Sequence, residues 1–140
     1  MGAFFLLKAS GPQVAGRAVI SADVKEISQL ILMFWRLLQD RSTEESIAAQ
    51  KQFNSVNLGD IVFRKSTRSH AAFDGNLLLV EADEKTLERY ALLLESLMVA
   101  RTGHQVLHTA SRDREIELMV SVGEYSRSML KMIKRAQAGA

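Results

Sequence analysis

The sequence predicts an α+β fold: a two-layer sandwich in which helices pack on one face of a mostly antiparallel or mixed sheet. Three observations lead there. Residues 76–122 read as strand, helix, strand, strand, with Leu77-Leu78-Leu79-Val80-Glu81 a buried strand, 84–101 an amphipathic helix, and 105–110 and 115–122 two further strands. The first half opens in the same manner, with strands at Ala3-Phe4-Phe5-Leu6-Leu7 and Arg17-Ala18-Val19-Ile20-Ser21 ahead of a helix. Finally, Ser21-Ala22-Asp23-Val24-Lys25-Glu26-Ile27 echoes Glu81-Ala82-Asp83-Glu84-Lys85-Thr86-Leu87, and the same register pairs Leu32 with Leu92 and Leu37 with Leu97. The echo predicts two strand-helix halves sharing one sheet, their helices side by side on one face.

Each element has its own warrant. Gly11-Pro12 marks a turn between the first two strands, which are expected to pair as a hairpin. Asp23 with Glu26 has capping-box spacing, and Val24, Ile27, Ile31, Phe34 and Leu38 form the apolar stripe of the first helix. Leu30-Ile31-Leu32-Met33-Phe34-Trp35 makes that helix apolar nearly all the way round, as suits a central helix or an oligomer interface. Ser42 with Glu45 resembles a second capping box and predicts a weak helix to about Phe53. Residues 58–65 then read as a strand with Gly59 a candidate bulge, and 66–74 as a polar loop. In the second long helix Leu87, Tyr90, Ala91, Leu94, Leu97 and Met98 form one stripe, with Asp83 as cap and Gly103 as stop. Leu92, Leu93 and Val99 widen its apolar arc beyond what one sheet face needs, so a second packing partner is expected. Residues 124–137 predict a closing helix.

Length and composition bound the rest. A chain of 140 residues, 47% hydrophobic and 24% charged with one proline, is long enough for one core, and the expectation is one domain over 1–140. It has no cysteine, which excludes disulfides, thiolate metal sites and cysteine nucleophiles. The opening residues lack a basic region and a long apolar run, so no secretory signal is expected. The longest apolar run, Leu30 to Trp35 as quoted above, is far below the roughly 20 residues that span a bilayer. The expectation is a cytoplasmic protein with no membrane association. A net charge of +2 is too small to imply nucleic acid by itself.

No catalytic motif emerges. His104 and His108 have the spacing of a helical metal pair, but they fall in a strand-like segment after Gly103. On a strand four residues cover roughly 13 Å, too far for one ion, so both are expected on one sheet face with no metal or cofactor. Ser111, near His108 and Asp113, reads as part of a tight turn. Phosphate-cradling glycine motifs are absent. Glu81 with Asp83 and Glu115 with Glu117 are paired carboxylates that strand faces and caps explain. Basic groups gather in two places: Arg127, Lys131, Lys134 and Arg135 on one side of the last helix, and Arg64, Lys65, Arg68 and His70 before the central strand. Together they would suit phosphates or an acidic protein, although cations near a helix C-terminus also complement its dipole.

Asp74-Gly75-Asn76-Leu77-Leu78-Leu79-Val80-Glu81-Ala82-Asp83, the Leu-rich helix after it, the Gly103-His104-x-x-x-His108 segment and the strand Ile116-Glu117-Leu118-Met119-Val120-Ser121-Val122 resemble small bacterial immunity proteins, which inhibit interbacterial toxins. The resemblance covers about residues 74–122, roughly a third of the chain. It implies a non-enzymatic inhibitor that occludes a cognate toxin, and it carries over no catalytic residue. The residues expected to meet such a partner are Glu81, Glu84, Glu88 and Glu95, which would face a basic active site, with Trp35 as apolar anchor. If the toxin surface is acidic, the last helix is the better candidate. A nucleic-acid-associated regulator using Arg64, Arg68, Arg127, Lys131, Lys134 and Arg135 is the alternative, followed by a small enzyme using His104 or His108 with a carboxylate. The wide apolar helices also favour a homodimer.

Overall fold

The computed structural model describes residues 2–7, 14–110 and 115–138. The expected turns at Gly11-Pro12 and Ser111-Arg112-Asp113 lie outside them. The elements run β1 (Gly2–Leu7), β2 (Val14–Ala22), α1 (Val24–Leu38), β3 (Glu44–Ser46), β4 (Phe53–Ser55), β5 (Asp60–Lys65), β6 (His70–Asp74), β7 (Leu77–Ala82), α2 (Glu84–Ala100), β8 (Gly103–Ala110), β9 (Glu115–Val122) and α3 (Arg127–Ala138). The α+β class is as expected, but the strands divide between two mixed sheets. One has the order β4-β1-β2-β9-β8 and the other β3-β5-β7-β6.

The division follows from how the two halves exchange strands. β1 and β2 pair antiparallel, as do β6 and β7, and each hairpin leads straight into its long helix. The second strand of each hairpin then takes its parallel neighbour from the other half: β2 lies against β9, and β7 against β5. Ile20 faces Val120 in one sheet as Phe63 faces Val80 in the other. The repeat seen in the sequence is thus two strand-helix halves that exchange strands between two sheets instead of sharing one. The β2–β9 partners are about a hundred residues apart, as for Arg17 and Glu117, whereas β5 and β7 pair across the single β6 hairpin, as Phe63 does with Val80.

One constant register aligns the buried stripes of the two helices. Ile27, Leu30, Ile31, Phe34 and Leu37 of α1 match Leu87, Tyr90, Ala91, Leu94 and Leu97 of α2, and all are buried. These side chains form one cluster with Ile20, Leu118 and Val120 of the first sheet and Phe63, Leu78 and Val80 of the second. Phe34 stands where the halves meet: its ring lies edge-on to Phe63 with centroids 5.0 Å apart and tilts against Tyr90 at 5.8 Å.

Both helix caps form as the sequence predicts. Glu26 N–H donates to Asp23 Oδ1 (2.8 Å) while Asp23 N–H donates to Glu26 Oε1 (2.9 Å), and Thr86 N–H donates to Asp83 Oδ1 (2.8 Å). Asp23→Ala removes one acceptor and strands a first-turn N–H, so we expect a loss of about 1 kcal/mol, seen as a drop of a few degrees in Tm. An unchanged melt would show the cap to be dispensable. Bonds from the Thr86 hydroxyl and backbone hold the Asp83 carboxyl below its ordinary range. Its contribution to α2 is therefore present above the unfolded-state pKa and is lost as pH falls through the lower folded value. At the other end of α2 it is Arg101, not Gly103, that takes the left-handed conformation next to the helix (φ 67°) and donates its N–H to Leu97 O.

Three elements differ from expectation. The weak helix after Ser42 is replaced by β3 and β4. Glu44, Glu45 and Ser46 pair with Arg64, Phe63 and Val62, and Arg36 on α1 bonds Glu45, so the presumed helix-capping glutamate is held across the core edge instead. The polar loop at 66–74 contains β6, made possible by a turn in which Gly75 has φ 59°. Gly59 is a point of close approach rather than a bulge: its N–H donates to Asn76 O (2.8 Å), and a Cβ there would come within 2.9 Å of that oxygen.

Candidate partner-binding surface

On α2, Glu84, Glu88, Leu92, Glu95 and Val99 recur at helical spacing opposite the buried stripe, and all are exposed. Leu92 is 61% exposed and Val99 85%. On α1, packed beside it, Leu32 is 51% exposed and Trp35 37%. In the register that aligns the buried stripes Leu32 corresponds to Leu92, so the repeat sets an exposed leucine at the same position of each helix. The apolar run read for α1 is therefore split: Leu30, Ile31, Met33 and Phe34 enter the core, and Leu32 and Trp35 remain outside it. Of the three residues read as widening the arc of α2, Leu93 packs against the core, as does Met98 of the stripe, while Leu92 and Val99 stay in water. Lys85 and Arg89 flank the acidic stripe on the next helical row and are exposed as well.

Glu81 does not join this face. It lies on the outer side of the second sheet, in a cross-strand row running Glu44, Arg64, Glu81, His70. Arg64 Nη2 donates to Glu44 Oε1 (2.7 Å), and that bond, aided by the charge of Glu81, raises the guanidinium pKa. One residue of the expected acidic set and one of the expected basic set are thus neighbours that offset each other's charge.

The rest of the basic set is divided. Arg68 is exposed in the connection between β5 and β6. Arg127 begins α3, where Lys131, Lys134 and Arg135 are exposed. Lys131 and Lys134 line a groove of about 510 Å³ with Gly2, Ala3, Asn54, Ser55, Val56 and Leu130, at the β4–β1 end of the first sheet. Tyr125 anchors the approach to α3 edge-on against Phe5, with centroids 5.1 Å apart, and partial burial raises its phenol pKa. Arg64 and Arg68 belong to the second sheet, so the two basic segments are carried by different sheets.

His104 and His108 share one face of β8, as their spacing predicts, opposite Ser121 and Glu117 in the register. His104 Nδ1 meets Glu124 Oε1 at 3.0 Å, and Ser121 Oγ donates to the same oxygen at 2.6 Å. Glu124 therefore orients the imidazole and tethers the serine. The hydroxyl is directed at the carboxylate and not at a ring nitrogen, so this is not a nucleophile and its base. Sequence reading missed Glu124, placed inside the last helix, although Ser121-x-x-Glu124 across Gly123 is a turn signal. Among the described residues no group of three or more metal-ligating side chains converges.

No protein-family model matches the chain, and no characterised protein matches it at significant similarity.

Proposed function

We propose that this chain is a non-enzymatic binding protein, an inhibitor of the immunity type, whose α1–α2 face covers a functional surface of a partner protein such as a cognate toxin. The observation that carries this reading is the pairing of exposed Leu32, Trp35, Leu92 and Val99 with the acidic stripe of Glu84, Glu88 and Glu95. Water-exposed apolar side chains together with exposed charges have the make-up of an interface centre and rim. Burial on a partner of the area these side chains still expose gains roughly 25 cal/mol per Å², and the carboxylates favour a cationic surface, such as the active site of an enzyme acting on nucleic acid. The test is recovery of a stoichiometric protein on the tagged chain from its native cell at low and at moderate salt, with loss of that protein when the α2 stripe is reversed in charge.

A second reading has its own observation: Lys131 and Lys134 line an open groove, and Arg135 is exposed nearby. A nucleic acid held there would bind with steep salt dependence. Lys131→Glu with Lys134→Glu is then expected to weaken duplex or single-stranded binding at least about tenfold and to flatten the salt slope. Binding that is absent, or that ignores salt, removes this reading.

A further inference from the structure

We infer that the free edge of β8 is a docking site for an extended, acidic segment of a partner protein, added as a further strand to the five-stranded sheet. Among the described residues β8 ends that sheet and pairs with β9 alone. Tyr90 Oη donates to the carbonyl of His108 (2.8 Å), which fixes the direction of that residue's backbone groups as away from β9. Strand alternation then aims the N–H and C=O of His104 and Val106 the same way. Among the described residues no second strand pairs with β8 there. β6 comes near β8 without pairing with it. Beside that edge lies a groove of about 450 Å³, lined by Arg89 and Leu93 of α2 and by His104, Gln105, Val106 and His108 of β8.

Two features say what fits. Unpaired edges of soluble proteins are ordinarily guarded by proline, lysine, a bulge, an inward charge or a covering helix or loop, and here α2 reaches the edge at His108 through Tyr90. Gly103-His104-Gln105-Val106-Leu107-His108-Thr109-Ala110 has no proline, lysine, aspartate or glutamate, and its pairing with β9 runs without a register shift. It offers a straight template. Arg89 is the permanent cation of the lining and Leu93 and Val106 supply its apolar floor, while the nearby carboxylate of Glu124 is engaged by His104 and Ser121. An incoming strand that alternates apolar and acidic residues would satisfy the backbone groups, cover Leu93 and Val106, and place a carboxylate at Arg89. The fold already uses such an addition once, where the short β4 lies parallel on the outer edge of β1. This site adjoins the exposed stripe of α2 through Arg89 but does not rest on the inhibitor reading.

The test uses the full chain and a capped peptide of alternating valine and glutamate, about eight residues long to match β8. Amide hydrogen exchange is followed residue by residue. The expected result is that exchange at His104 and Val106 slows about tenfold or more at saturating peptide, and that a valine-lysine peptide does not produce this. Val106→Pro removes an N–H that makes no ladder bond, so the fold is expected to persist while peptide binding falls at least about tenfold. Arg89→Glu leaves the backbone edge intact and keeps the proposal testable should the proline variant unfold; it is expected to abolish the preference for glutamate over lysine. Unchanged exchange at His104 and Val106, equal binding of both peptides, or slowing that grows with protein concentration in the absence of peptide would each overturn the proposal. The last outcome would mean that β8 pairs with a second copy.

Discussion

Phe34→Ala is expected to lower the unfolding free energy by about 3–5 kcal/mol, the largest single-residue effect on stability proposed for this chain. Phe34 is 1% exposed and touches Phe63 of the second sheet and Tyr90 of α2, so its removal opens a cavity where the two halves meet. The backbone around it cannot easily collapse, because α1 is fixed at its start by the Asp23–Glu26 box and near its end by the bond from Arg36 to Glu45. Urea melts would measure the loss. Leu32→Ala, in the same helix, is the control: with half its surface already in water, it should stay within about 0.5 kcal/mol of the parent. Equal losses at both positions would contradict the division of α1 into a core side and a solvent side.

The second large effect concerns binding. Glu84→Lys, Glu88→Lys and Glu95→Lys together reverse the stripe of α2 without touching a buried side chain, and they are expected to weaken capture of the partner by about a hundredfold or more. Trp35→Ala, alone, should cost about 2 kcal/mol or more of affinity if its ring is the apolar anchor, roughly thirtyfold. The charge-reversal variant should melt within about 1 kcal/mol of the parent, most of that from Glu84, the acid of the first turn of α2. Trp35, 37% exposed, keeps most of its surface packed, so the affinity of Trp35→Ala is compared with that of the parent at a temperature where both forms are folded. Reversal of Glu81 should behave differently, with a weak effect on partner capture, since that carboxylate sits beside Arg64 on the other sheet.

Much of this arrangement is legible in the residues themselves. Asp23 and Asp83 mark the starts of both long helices because a cap is a local device, set by side chains within one turn. The echo around Ala22-Asp23 and Ala82-Asp83 reveals two like halves because the same stripe must meet the same kind of core. The sheets are less legible. The pairing of β2 with β9 joins residues about a hundred positions apart, and nothing local distinguishes a neighbour in the same half from one in the other. β3 escapes notice because Glu44, Glu45 and Ser46 carry no apolar alternation; their partners in β5 and the Arg36–Glu45 bond make them a strand. For the surface, spacing alone places Glu84, Glu88 and Glu95 on one face. It cannot show that strand alternation would turn Glu81 toward Arg64, nor that Leu32 and Trp35 would be the members of an apolar run left in water.

The central claim is that the α1–α2 face is where a partner protein sits. The most direct test is to place a photo-crosslinking residue at position 92, on that face, and in a second version at position 132, on α3, and to irradiate each in the native cell. The account predicts one protein covalently captured from position 92 in stoichiometric yield, at low and moderate salt alike, and lost in the triple charge-reversal variant. Capture of that protein from position 132 instead, or of nucleic acid there with nothing retained at 92, would contradict it and transfer the function to the basic helix.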